Sequence, residues 1–144
     1  RKSISSWIDH ERLNNKMPEP LKIDVKDTPW QIPSNILDSL QGIISINMIH
    51  IAPWQCTESL FKESSKILKE RRFLLLYGPF KIKDKHTSES NKLFDKSLKK
   101  QNNDWGVRNL ENVNEEAMIN GFNQEQIIEM PSNNIILIYR KVSL

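Results

Sequence analysis

One stretch constrains this chain more than any other: Ile43 to Trp54, IISINMIHIAPW, where an apolar β-branched run gives way to Asn47, His50 and the pair Pro53-Trp54. Ile43 to Met48 has too little polar alternation for a sheet with one wet face, so it predicts a short central strand covered on both sides. In an open α/β sheet, ligands sit beyond the carboxyl ends of the central strands. That rule points to Asn47, Met48, His50 and the turn through Pro53 and Trp54.

The flanking sequence supplies helices and further strands. Ser3 to Asn14 reads as an amphipathic helix, with Ile4, Trp7 and Ile8 on one side and Asp9, Glu11 and Arg12 on the other. Leu21 to Val25 alternates as a strand does and carries Asp24 near its carboxyl end, before the turn residues Lys26 to Pro29. Asn35 to Leu40 predicts a short helix stopped by Gly42. A longer helix begins at Pro53, with Leu60, Phe61, Ile67 and Leu68 on one face, and ends at Lys69-Glu70-Arg71-Arg72. Phe73 to Tyr77 is a second buried run closed by Gly78-Pro79-Phe80, and a helical crossover makes it a parallel neighbour of the first.

Beyond it, Lys81 to Thr87 reads as a basic, polar loop. Ser88 is placed to cap a helix bearing Leu93, Phe94 and Leu98, and Asn109 a helix through Leu110, Val113 and Ala117 that Asn120-Gly121 ends. Strands at Gln124 to Met130 and Ile135 to Val142, joined by Pro131 to Asn134, predict an antiparallel hairpin. Alternating strands and helices with this tail indicate a doubly wound α/β sheet with one reversed strand.

Composition narrows the class. With 144 residues, 38% hydrophobic and 27% charged, the chain forms one globular domain, without the ~20-residue apolar run of a membrane span. The N-terminus, Arg-Lys-Ser-Ile, lacks the apolar stretch of a signal peptide, so a soluble, intracellular, cytoplasmic protein is expected. Cys56 is the single cysteine and has no internal disulfide partner, and no Cys/His spacing suggests a metal site. The net charge of +3 is spread among acidic residues rather than gathered on one face, which argues against a nucleic-acid partner.

Taken in order, INMIHIAPW, LLLYGPF, SNKLFDKSL, WGVRNLENV and MPSNN, with LKIDV before them, closely resemble a small methyltransferase-like family, the methyltransferase-like protein 26 type. Its likeness to class I S-adenosylmethionine-dependent methyltransferases implies a Rossmann-like sheet in the strand order 3-2-1-4-5-7-6. In that frame Asp24 and Val25 end the third strand beside the cofactor's adenine. Asn47 and Met48 end the fourth beside the methionine portion and reactive methyl, and His50 lies just beyond as a candidate catalytic base. Trp54, Tyr77, Pro79 and Phe80 flank a substrate pocket that Arg108, Asn133 and Asn134 close. The acceptor is expected to be a small molecule.

The departure from the family pattern is as informative. Class I enzymes place an acidic, Gly-rich loop after the first strand and an acidic residue after the second. Here the four glycines, Gly42, Gly78, Gly106 and Gly121, all stand at element ends. Ser3 to Asn14 matches the helix after the second strand, so the chain is expected to be a partial domain, its C-terminal two-thirds, lacking the first two strands. Leu21 to Val25 then loses its sheet neighbour, and Ile43 to Met48 becomes an exposed apolar edge, leaving a domain unstable by itself. Two functions follow: a methyltransferase needing the cofactor loop restored, or a non-catalytic methyltransferase-like relic or binding domain without cofactor.

Each candidate residue also has a plainer reading. His50 also reads as a hydrogen-bonded structural histidine, Asp24 as a turn carboxylate, and Asn47 as a buried amide satisfied by local backbone. Arg108 pairs with Asp104 or Glu111 if it does not bind an anion. Asn133-Asn134 suits left-handed turn geometry. Trp7, Trp30 and Trp105 read as core or loop anchors.

Overall fold

The computed structural model describes residues 1–142. Helix α1 (Lys2–His10) is followed by an irregular segment, the short helix α2 (Ser34–Ser39) and strand β1 (Gly42–Ile46). Helix α3 (Trp54–Ile67) starts directly after Pro53 and turns Cys56, Leu60, Phe61 and Ser64 inward, the three-to-four spacing of one helical face. Strand β2 (Phe73–Gly78) returns parallel to β1, with Ile43 opposite Leu74 and Ile46 opposite Tyr77.

Strands β3 (Lys81–Ile82) and β4 (Lys85–His86) form a small hairpin where the sequence suggested only a polar loop. Its turn residues Lys83 and Asp84 both have positive φ, 49° and 63°, as a tight hairpin of this hand requires. Side chains rather than glycine support it: Glu111 accepts from the Lys83 N–H and Asn109 Oδ1 from the Asp84 N–H. Asn109 therefore spends its side chain on the hairpin and makes no capping bond to its own helix.

Helix α4 (Glu89–Gln101) is capped as expected, Ser88 Oγ accepting from the Asn91 N–H at 3.1 Å. Helix α5 (Leu110–Ile119) ends before Gly121, whose φ of 75° suits a residue without Cβ. Strands β5 (Phe122–Met130) and β6 (Asn134–Lys141) complete a four-stranded sheet in the order β1-β2-β6-β5, with β6 antiparallel to both neighbours. This is the mixed α/β architecture with a reversed C-terminal hairpin that the sequence indicated. Leu74, Leu76, Leu137 and Tyr139 are fully buried in it, and the Phe61 ring meets Phe122 and Tyr139 edge-on at 5.9 and 5.3 Å.

Three expectations are corrected. Leu21 to Val25 is not a strand: the segment has no ladder partner, because among the described residues β1 is hydrogen-bonded only to β2. Trp30 tethers the segment instead, its indole N–H donating to the Val25 carbonyl at 3.2 Å and its backbone N–H to the buried Glu63 carboxylate on α3, also at 3.2 Å. Among the described residues strand β1 is an edge rather than a central strand covered on both faces, with Ile44 61% and Ile46 62% exposed. The open edge is the one anticipated from the family strand order. Trp7 is an exposed side chain rather than a core anchor, and Ile8 is the residue of α1 that is buried. No helix among the described residues is long and apolar enough to cross a membrane.

Candidate functional site at the carboxyl ends of the parallel strands

The site is built by the way the chain leaves β1. Asn47 adopts left-handed backbone geometry, φ 57°, while its N–H still donates to the Tyr77 carbonyl at 2.8 Å. A single 3-10 turn, Met48–His50, then carries His50 inward before Pro53 opens α3. His50 is fully buried and lies edge-on to Phe80, ring centroids 5.0 Å apart.

Gly78 makes this possible at the end of β2. A Cβ there would fall 2.6 Å from His50 Nε2 and 2.9 Å from Asn47 Oδ1, so the imidazole and the carboxamide occupy the space a side chain would fill. Both polar groups border one point above the Gly78 Cα.

The second loop of the site is fastened to the first. Nδ1 of His50 accepts the Arg108 N–H at 3.3 Å, and the His50 carbonyl accepts the Gly106 N–H at 2.9 Å. Burial, reinforced by the Arg108 charge and opposed by the Gly106 backbone and the Asp95 charge, lowers the His50 pKa to about 3. The ring is therefore neutral near pH 7, and with Nδ1 accepting, its proton is assigned to Nε2. That buried N–H has no partner among the described residues.

Arg108 is committed to backbone. Nε donates to the Ile49 carbonyl at 2.9 Å, Nη2 to Ala52 at 2.5 Å and to Asp104 at 2.8 Å, and the guanidinium carbon lies 5.8 Å from the Trp54 ring centroid. Among the described residues it neither pairs with a carboxylate nor presents a free two-nitrogen fork, contrary to both sequence readings. The Ile49 and Ala52 contacts clamp residues 49–52 to Arg108, and the Asp104 contact holds the arginine to its own loop.

The sequence candidates thus separate into groups. Asn47, His50, Trp54, Gly78, Phe80 and Arg108 come together, with Tyr77 and Pro79 alongside. Asp24 and Val25 lie on the tethered segment, where Asp24 Oδ1 accepts the Lys26 N–H at 3.0 Å in the turn role. Asn133 and Asn134 lie across β2, lining a separate pocket of about 220 Å³ with Ile82, Thr87 and Glu129.

Sequence reasoning missed Asp95 on α4, a buried carboxylate that accepts the Val107 N–H at 2.8 Å and Lys99 Nζ at 2.7 Å, with His86 Nε2 at 3.3 Å. Burial pushes its pKa up, but the Lys99 and Val107 hydrogen bonds and the neighbouring cations outweigh this and hold it below the ordinary value. The only trace in sequence is the i, i+4 Asp95–Lys99 spacing, which every solvated helix face also offers. Among the described residues, no group of three His, Cys, Asp or Glu side chains is placed to hold a metal.

A family model described as "Protein of unknown function (DUF938)" matches residues 1–141. Among solved structures, the chain is similar to the mitomycin 7-O-methyltransferase MmcR, with TM-score 0.78 and 15% identity over 96% of this chain and 38% of that one. An O-methyltransferase family protein from Burkholderia thailandensis gives TM-score 0.75 and 12% identity, over 99% and 41% of the two chains. Human N-acetylserotonin methyltransferase, solved in complex with SAM, gives 0.67 and 14%, over 85% and 33%. The likeness is one of fold, and the chain spans between 33% and 41% of the length of these three structures.

Proposed function

We propose that this chain, which belongs to the DUF938 family, is part of a class I S-adenosylmethionine-dependent methyltransferase of the methyltransferase-like protein 26 type, acting on a small-molecule acceptor. The observation that carries the reading is the parallel β1–β2 pair, flanked by the reversed β6, whose carboxyl ends bring Asn47, His50 and Gly78 to one point. Open α/β sheets hold their ligands at such a point.

S-adenosylmethionine, when bound, supplies an electrophilic methyl group. Asn47 and Met48 at the end of β1, with Asp24 and Val25 on the tethered segment, would hold one side of it. The described residues include no Gly-rich backbone loop for its remaining side. Asn47 offers a carboxamide to orient a ligand, and the Arg108 clamp holds the loop that carries it. His50 is placed here as a positioning residue. Its Nδ1 lone pair is taken by the Arg108 N–H, so general-base chemistry is not assigned to it. Methyl transfer gains chiefly from alignment, and a rigid loop supplies alignment.

A second reading, a methyltransferase-like binding domain that takes no cofactor, is favoured by one observation: Asp24 already spends Oδ1 on its own turn. Calorimetric titration of S-adenosylhomocysteine into the full-length protein separates the two. Saturable binding weakened at least about tenfold by Asn47→Ala, about 1.4 kcal/mol, supports the enzyme. Absence of binding at millimolar ligand overturns it and leaves the binding domain.

A further inference from the structure

We propose that the pocket between the β3–β4 hairpin and the β5–β6 turn seats a small ring-bearing amine. That this amine is the methyl acceptor rests on the reading above of this end of the sheet; its binding does not. The pocket encloses about 220 Å³, and a cavity of about 150 Å³ is enough for a single aromatic ring.

Its position links it to the strand ends. Ile135, in its wall, is the register partner of Gly78, and opposed residues of an antiparallel pair lie about 5 Å apart at Cα. The pocket is therefore one strand away from the point where His50 and Asn47 meet.

The wall is held rigidly. The buried Asn91 amide donates to Thr87 Oγ1 at 3.0 Å and to the Asn133 carbonyl at 2.9 Å, fastening α4 to the β5–β6 turn. Ser132 and Asn133 both have left-handed backbone, φ 61° and 58°. Non-glycine residues adopt that geometry at an energetic cost, and here the Asn91 bond fixes the turn that bears it.

The lining chooses the ligand class. Ile82, Met130 and Ile135 supply an apolar surface, Thr87, Asn133 and Asn134 neutral polar groups, and Glu129 the single charge among the lining residues. Lys85 stands opposite Ile82 in the hairpin, yet no ion pair to Glu129 forms among the described residues. An apolar body with an ammonium group matches this arrangement, whereas a carboxylate or phosphate meets Glu129 as a like charge.

Benzylamine, benzyl alcohol and benzoate, one ring with three charges, test it by methyl-detected NMR of the full-length protein. Benzylamine is expected to shift the Ile82, Met130 and Ile135 methyl signals saturably, with benzyl alcohol weaker and benzoate without effect. Glu129→Gln, an exposed position, is expected to weaken benzylamine at least fivefold and leave benzyl alcohol unchanged. Ile82→Trp should abolish both. Equal responses to all three probes, shifts confined to other methyls, or an unchanged benzylamine affinity in Glu129→Gln would each overturn the proposal. Amine binding without S-adenosylhomocysteine binding removes the methyltransferase reading and keeps the pocket; the reverse result does the opposite.

Discussion

The backbone N–H of Arg108 donates to Nδ1 of His50 at 3.3 Å, while the guanidinium of the same arginine holds the carbonyls of Ile49 and Ala52 on either side of that histidine. The two residues are 58 positions apart in sequence, and each fixes the other's loop. The ring is thereby locked neutral, because protonating Nδ1 would set a proton against the Arg108 N–H in a dry site.

This lock makes stability depend on pH. The His50 pKa falls from 6.5 to about 3 in the fold, chiefly by burial, so the unfolded chain binds the proton more readily. Stability from this group is whole above pH 6.5, declines as pH falls, and is exhausted near pH 3. The slope approaches about 1.4 kcal/mol per unit. Urea unfolding at pH 7 and pH 5 should show a loss of about 1–2 kcal/mol, and His50→Gln should flatten that difference. An equal pH dependence in the variant would show that other groups carry it.

Gly78→Ala tests the close approach at the end of β2. The new Cβ would lie 2.6 Å from His50 Nε2, and the ring cannot retreat, with Phe80 edge-on at 5.0 Å and Nδ1 tied to Arg108. Overpacking of this kind costs about 1–3 kcal/mol. Denaturant titration should register that loss, with an altered His50 imidazole NMR signal. A stability change below about 0.5 kcal/mol would mean the histidine has room to move.

Asp95 and Gly106 should behave as one unit. A Cβ at Gly106 would sit 2.7 Å from Asp95 Oδ1, the oxygen that accepts the Val107 N–H. Asp95→Asn leaves the Val107 N–H and the Lys99 and His86 contacts with a poorer acceptor, at a cost of about 1–3 kcal/mol. Gly106→Ala pushes the same carboxylate away. The double variant should therefore lose less than the two single losses added together, by about 1 kcal/mol, in a double-mutant cycle. Strict additivity would separate the two sites.

The elements that sequence could reveal are those whose signal is local. Ser88 three residues before Asn91, Gly121 after α5 and the apolar run of β2 each specify their element by short-range chemistry. Leu21 to Val25 has the same alternation, but a strand also needs a neighbour, which no local pattern states. Arg108 likewise showed a cation but not its acceptors, since carbonyls of residues 49, 52 and 104 become its partners only through the fold. The β3–β4 hairpin escaped notice because its turn carries Lys83 and Asp84 at positive φ, where glycine or asparagine is the usual signal.

The open edge of β1 gives the last prediction. Gly42–Ile46 contains no charge and no proline, so nothing on the strand discourages pairing with another chain. Ile44 and Ile46 are 61% and 62% exposed, and replacing either removes little buried surface. In the 144-residue chain, Ile44→Lys with Ile46→Lys should therefore change unfolding free energy by no more than about 0.5 kcal/mol per site while reducing concentration-dependent association. Light scattering across a concentration series, with urea unfolding on the same samples, measures both. A large stability loss would instead show that these side chains are covered in the protein in solution, by its own residues or by a partner.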